Sequence, residues 1–451
     1  MKTLKNILAV VAIIGLLIGC NEELDLRPPQ DVDADLALSS DANVKTTLLG
    51  AYDALSEGDL LGGSLQRNAE LLGQKSHIQF SGTYNAPAEI WRKDITTVNL
   101  DVTEVWLGGY DVINIVNNVI SALEVVDEDD RDRISGEAHF IRGLVHFELV
   151  KFFAQPYSAG NVASNLGVPL ILEPTRGISE ENYVARASVA DVYDQVIRDL
   201  QIAEANLPSD NDVYANKAAA AAVLSRVYLQ QLAYEEARDA ANRAIGHTNG
   251  LFSLASGYAA LYNNSSNSSE DIFAIQVNTQ DGVNNLQLYF AAAGFGGRGD
   301  IEIQPGQLAL YDPGDLRLNL YYDDPATGET RTGKYINQFA NVPFIRLSEL
   351  YLTRAEGNIR LGETVGDTPE NDLFQIQERA GLPFNATPTV DDVLLERRRE
   401  LAHEGHAIHD YKRLQLPVDG LPFDANELVF PIPQREMNVN KNLKQNAGYG
   451  G

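Results

Sequence analysis

KAAAAAVLSRVYLQQLAYEEARDAANRAI, residues 217–245, is the stretch that decides the fold. Its order runs Ala221, Leu224, Tyr228, then Tyr234, Ala237 and finally Ala244-Ile245. Small residues stand where two helices must approach closely, and large ones fill the spaces between them. That is the pattern of a tetratricopeptide helix pair. Alanine-rich helices of other kinds share the small positions but not the two spaced tyrosines.

Helical periodicity continues on both sides of this pair. Val44, Leu48, Ala51 and Leu55 share one face. Val102, Trp106, Gly109, Ile113, Val116, Ile120 and Leu123 make a longer stripe, which ends at the charged run from Asp127 to Arg133. A third helix follows with Ile134, Ala138, Ile141, Val145, Leu149 and Phe152, closed by Gln155-Pro156. Ser188, with Asp191 three residues on, starts another in the manner of a capping box, and Pro208 stops it. Residues 101–153 and 346–361 supply further helices of an irregular array. Residues 62–91 and 250–342 differ in character, being rich in Gly, Asn, Ser and aromatics with short strand-like runs such as Ile272–Ile275. Long irregular segments in a compact chain usually carry function. The expected fold is mainly α, a tetratricopeptide-like α-α superhelix carrying a large irregular, loop-rich face with short strands.

The amino terminus reads as a lipoprotein leader. Lys2 and Lys5 precede an apolar run from Ile7 to Ile18, too short to span a bilayer and therefore the core of a signal peptide. Leu17-Ile18-Gly19-Cys20 matches a lipobox, so Cys20, the chain's one cysteine, is the expected lipidation site. Glu22, Glu23 and Asp25 begin an acidic tether. The boundaries are residues 1–19 for the signal peptide, 20–38 for the lipidated Cys and tether, and 39–451 for a single domain. Its ligand face comes from about residues 62–95 and 250–342. The formal net charge is −28. Such a surface disfavours nucleic acid and anionic lipid, which need clustered Lys and Arg, and weakly disfavours polyanionic glycans.

Several motifs fail on their physics. Residues 294–299 (GFGGRG) match GxGxxG, but Asp300 to Pro305 alternates like a strand where a dinucleotide site needs a helix. His403, His406 and His409 surround Glu404, but the two histidines beside the Glu are three apart where the zinc signature needs four, and Gly405 interrupts the helix. Asp31, Asp33 and Asp35 begin like a calcium loop, but Leu36 replaces the required Gly. No nucleophile elbow and no P-loop appears, and no carboxylate pair stands out for glycoside hydrolysis. A binding protein with neither cofactor nor metal is expected, and not an enzyme.

Four stretches resemble the SusD/RagB family: residues 137–153 (EAHFIRGLVHFELVKFF), 344–362 (FIRLSELYLTRAEGNIRLG), 394–414 (LLERRRELAHEGHAIHDYKRL) and 431–449 (PIPQREMNVNKNLKQNAGY). His139 and Ala407 stand where the family often has Arg. The resemblance implies a lipid-anchored protein on the outer-membrane surface, partnered by a SusC-like TonB-dependent transporter and capturing an oligosaccharide or polysaccharide. It also implies that ligand contacts come from about residues 64–95 and 278–322. Sugar rings pack their C–H faces on aromatic side chains, with polar groups at the rim. Trp91 in its loop context is the first candidate platform, with Tyr84, Tyr289 and Phe295 behind it and His77 and Arg298 as hydrogen-bond partners. Trp106 belongs to the core stripe. Two tryptophans in all make starch no better a ligand than other glycans. The rival readings are peptide capture within the same family, a surface glycoside hydrolase, and a scaffold without a ligand.

Overall fold

The computed structural model describes residues 37–450 apart from Ile178 and Asp281, so the leader, Cys20 and nearly all of the tether lie outside the described residues. Helices dominate. In the amino-terminal half they are α1 (Asp41–Ser56), α2 (Ser64–Leu71), α3 (Asn85–Arg92), α4 (Leu100–Ser121), α5 (Glu128–Phe153) and α6 (Val189–Asn206). The repeat pair is α7 (Lys217–Gln230) and α8 (Tyr234–His247). Beyond it come α9 (Asn285–Phe290), α10 (Pro305–Leu308), α11 (Leu347–Leu361), α12 (Pro369–Arg379), α13 (Val390–Glu400), α14 (Ala407–Arg413) and α15 (Gln434–Val439). No helix among the described residues is long and apolar enough to cross a membrane.

The alanine run explains the centre of the array. Asn216 caps α7 by accepting the Ala219 N–H at 2.9 Å. Ala218 to Ala222 are then wholly buried, with α6 and α8 packed on either side of the helix. Alanine loses no side-chain entropy in a helix, and its small size lets neighbouring backbones close in. Leu232 turns the chain between α7 and α8 at φ 61°. On its far side α8 meets α11 at Gly357, where a Cβ would stand 2.6 Å from the Arg238 Cβ and 2.9 Å from the Tyr234 carbonyl oxygen. Glycine is therefore required there by close approach. The helices α1, α4, α5, α6, α7, α8 and α11 thus pack in succession, the tetratricopeptide-like superhelix expected. Trp106 is 3% exposed and meets the Phe153 ring edge-on at 4.9 Å, a core residue.

The strands are short and pair in antiparallel twos: β1 (Ile78–Phe80) with β3 (Ile301–Ile303), β2 (Asp271–Ile275) with β6 (Val342–Arg346), and β4 (Tyr321–Asp323) with β5 (Thr330–Thr332). All of β2 is buried, and its Phe273 packs edge-on against Phe140 of α5 at 5.2 Å. Residues 62–91 are not the loop expected from their composition. They hold α2 and α3. Every residue of α2 is buried, including the polar Ser64, Gln66, Arg67, Asn68 and Glu70, so its polar face does not meet solvent as in a surface helix.

An ion-pair network joins scaffold to face. Arg346, at the end of β6, donates to Glu270 and Glu400 at 3.0 Å each and to both oxygens of Glu404 at 2.8 Å. Arg379 reaches Glu270 and Glu400, and Arg317 reaches Asp315 and Glu396. Lys334 donates to Glu404 at 2.6 Å. These side chains are all nearly inaccessible to solvent. Burial pulls the Glu400 carboxyl upward, but Arg379, Arg346 and Arg317 together outweigh it and hold it well below the usual carboxylate range. The network expected from residues 396–400 is therefore present, with partners on distant segments.

Two outcomes follow for stability. Arg346→Met leaves three carboxylates short of a cation, and urea unfolding should show a loss of about 3–5 kcal/mol. His146 is wholly buried, and burial holds it neutral down to about 4 against an ordinary 6.5. The unfolded chain binds that proton first, so stability is lost as pH falls from 6.5 towards 4. From this residue the loss between pH 7 and 5 is about 2 kcal/mol. His146→Phe should remove that part of the pH dependence, and equal slopes in the two proteins would contradict it.

Candidate functional site

The site grows from the pairing of β1 with β3. Ile78 and Phe80 alternate inward, and the register Phe80↔Ile301 carries the chain into a turn at residues 81–84. Ser81 N–H donates to the Asp300 carbonyl at 2.8 Å. At Gly82 a Cβ would lie 2.4 Å from the Asp300 side chain, so the turn passes Asp300 only because this residue has none. Tyr84 follows at the head of α3, with its ring 47% exposed.

Arg298 is fixed over that ring. Its guanidinium stands 4.1 Å from the Tyr84 centroid, donates to Asp300 at 2.7 Å and donates to the Thr83 hydroxyl at 3.0 Å. Tyr289, from α9, meets Tyr84 edge-on at 6.4 Å. Arg67, from α2, covers the Tyr289 ring at 4.2 Å. Arg67 is itself buried, donating to Asp101 at 2.5 Å and to the Asn68 side-chain oxygen at 3.0 and 3.1 Å. Three sequence-chosen residues, Tyr84, Tyr289 and Arg298, thus form one stacked assembly.

Tyr84, Tyr289 and Arg67 line an open cleft of about 450 Å3 together with Asp59, Asn85, Glu89, Asn99, Asp101, Glu104 and Asn285. That volume is within the range of roughly 300–1,000 Å3 for small-ligand sites. The floor is rigid. Glu89 accepts from Asn85, from the Thr96 N–H and hydroxyl, and from Asn99 at 2.6–3.0 Å. Burial raises the Glu89 carboxyl, yet these donors outweigh it and keep it below its ordinary value. Asn99 also caps α4, accepting the Val102 N–H at 3.2 Å. Asn285 holds α9 against the loop between α1 and α2 by donating to the Gly58 carbonyl at 3.0 Å. Val98 and Leu100 stand exposed at the rim. Such a site can stack a flat apolar face on Tyr84 and meet hydroxyl donors with carboxylate oxygens.

The other candidates lie elsewhere. Trp91 sits on α3 and not in a loop. Its Nε1 donates to the Ile78 carbonyl at 3.1 Å, and the Lys75 ammonium stands 5.1 Å from its ring. That hydrogen bond ties α3 to β1. His77 lines a separate enclosed cavity of about 270 Å3 with Glu70, Arg398 and Tyr411, where burial and the Arg398 charge lower it to about 4. Ala407 borders the same cavity. Phe295 is 45% exposed but does not line the cleft, and its ring meets Tyr322 edge-on at 5.4 Å. The glycine motif leads into β3 and does not itself open a helix. His403 faces the Tyr321 hydroxyl at 3.2 Å, His406 accepts from Arg397 at 3.2 Å, and His409 packs edge-on against Phe152.

Arg67, Asp59, Asp101 and Glu104 escaped the sequence reading. Asp101 and Glu104 lie three apart at the start of α4, off the Val102–Trp106 stripe. An acidic first turn bordering the candidate loop was the available signal.

Comparison with known proteins agrees with the geometry. Residues 23–229 match the family profile described as starch-binding and associating with outer membrane, and residues 318–421 match that of the SusD family. SusD-like protein P2 of Formosa agariphila is 24% identical, with 97% of this chain and 98% of that protein aligned. A putative sugar binding protein from Bacteroides vulgatus superposes with a TM-score of 0.82 at 28% identity, over 91% of this chain and 98% of that one. A SusD superfamily protein from Bacteroides thetaiotaomicron gives 0.82 at 26% identity, over 90% and 99%. The two profiles sit at the two ends of a chain whose whole fold superposes on solved members, and on that basis it belongs to the SusD/RagB family.

Proposed function

We propose that this chain is a lipid-anchored glycan-capture protein of the outer-membrane surface. It binds an oligosaccharide or polysaccharide and passes it to a partner SusC-like TonB-dependent transporter, with Cys20 carrying the anchor and no catalysis of its own. The observation that supports this most is the cleft in which exposed Tyr84 is held by Arg298 and Tyr289 beside a row of oxygen acceptors. A sugar ring offers an apolar C–H face to the first and hydroxyl donors to the second. The name of the Bacteroides vulgatus neighbour, a putative sugar binding protein, supports the same ligand class. Hand-over to a transporter fits an affinity between about millimolar and micromolar, roughly −4 to −8 kcal/mol.

Peptide capture is the weaker reading for this cleft. Recognition of extended peptide backbone uses side-chain amides that are free to pair. Here Asn99 spends both amide hydrogens, on the Ala86 carbonyl and Glu89, and Asn85 and Asn285 each spend one, on Glu89 and the Gly58 carbonyl.

Affinity electrophoresis of the soluble body from Asn21 onward, through gels holding a panel of polysaccharides, tests the proposal. One glycan should retard the protein, and Tyr84→Ala should lose about tenfold or more of that retention with its melting unchanged. Retention by none, with binding of digested protein instead, would move the chain to peptide capture. Trp91→Phe gives the converse expectation. It removes the hydrogen bond to Ile78 and should cost about 1 kcal/mol of stability while glycan retention stays intact. Lost retention with unchanged stability would place Trp91 against the ligand.

A further inference from the structure

Charge in the cleft is one-sided. Asp59, Glu89, Asp101 and Glu104 all line it, and Arg67 is the cation among its lining residues. Arg67 is already paired with Asp101, and three of its five N–H groups are spent within the protein, which leaves Nη1. Its Nη2 is bonded to Asp101, its Nε and Nη2 to Asn68, its flat face lies on Tyr289, and it is 1% exposed. The rim cation, Arg298, has a side chain 31% exposed, but it is paired with Asp300, bonded to Thr83 and laid on the Tyr84 ring. Glu89 is held ionised by the donors around it.

The carboxylates already feel one another. Glu104 is pushed up to about 7, first by burial and then by the charges of Asp59 and Asp101, with Arg67 opposing them less strongly. A negative group brought into the cleft would meet the same field, and the two nearby cations, Arg67 and Arg298, are each already paired with a carboxylate. An uncharged sugar meets the opposite situation, because its hydroxyls donate to carboxylate oxygens and bonds to an ionised acceptor are the strong ones.

We infer that the cleft selects uncharged glycans and refuses uronate-bearing or sulfated ones, with Asp59 and Glu104 as the residues that set this discrimination. The inference rests on the glycan-capture reading and names its substrate class. The chain's overall charge of −28 acts in the same direction at long range but is screened beyond roughly 8–10 Å at physiological salt. The carboxylates in the cleft act at contact distance, where screening is weakest. That difference separates the two sources of discrimination.

The experiment uses matched polysaccharide pairs in affinity gels at physiological ionic strength: arabinoxylan with glucuronoxylan, agarose with carrageenan, and hydroxyethylcellulose with carboxymethylcellulose. The wild-type protein is run beside the double variant Asp59→Asn, Glu104→Gln. Both replacements keep side-chain size and relieve repulsion, and thermal melting of each protein checks the fold. The expected result is retention by a neutral member at least tenfold stronger than by its charged partner. The double variant should narrow that ratio by tenfold or more. Stronger retention by a charged member overturns the inference and leaves glycan capture standing. So does a ratio that the double variant does not change, since the discrimination would then come from the surface at large. Retention by no member of any pair, by either protein, overturns glycan capture and this inference with it.

Discussion

The buried ion network around Arg346 and Glu400 is the constraint on which the rest of the structure depends. The helical array builds itself from apolar stripes and small residues, but the face does not. Residues 250–342 make few regular hydrogen bonds among themselves, and they are held to the array by charged side chains. Arg317 anchors residues 315–320 to α13, Lys334 reaches Glu404, and Glu270 brings the start of β2 to Arg346. Tyr258 donates its hydroxyl to Glu400 at 3.0 Å in the same place. Buried charges of this kind are expensive to desolvate and add less to stability than their number suggests. Their contribution here is geometric, because each rigid guanidinium fork donates to its carboxylates in a fixed orientation.

That arrangement explains how an irregular face can present a rigid site. The cleft is assembled from α2, the turn after β1, α3 and the start of α4, which follow one another in the chain, and from α9, which lies far along it. Pairing of β1 with β3 brings residues 78–84 against residues 298–303. Arg67, Asn99 and Glu89 then lock the remaining pieces by hydrogen bonds. The exposed part of the site is correspondingly small, being one tyrosine face and a rim of oxygens. A platform held in place loses little entropy when ligand arrives, which lets a shallow site bind at all.

The array was legible in the sequence because small-residue spacing and apolar stripes are local signals. The α7–α8 pair, the α4 stripe with Trp106 and the glycine motif leading into a strand all read correctly from neighbours a few positions apart. The short helices did not. Helix α2 is only eight residues long and buries its polar face as well as its apolar one, and α3 has Pro87 in its first turn and no side-chain cap. Trp91 consequently looked like a loop residue. For the cleft, Tyr84, Tyr289 and Arg298 were found by residue type and region, whereas Arg67 was missed because its partner Asp101 lies 34 residues away. The arginine-rich run at residues 396–400 announced a network, but its ion-pair partners outside the run stand 13 to 87 residues distant and only folding brings them in.

The central claim is that a glycan ring rests on Tyr84. The most direct measurement is a crystal structure of the chain grown with an oligosaccharide cut from whichever polysaccharide retards it. The account predicts density for a sugar ring stacked on the exposed face of Tyr84, with hydroxyls within about 3 Å of the Asp59 or Glu104 oxygens. Sugar density over Phe295, in the cavity beside His77, or against Trp91, with the Tyr84 cleft empty, would contradict it.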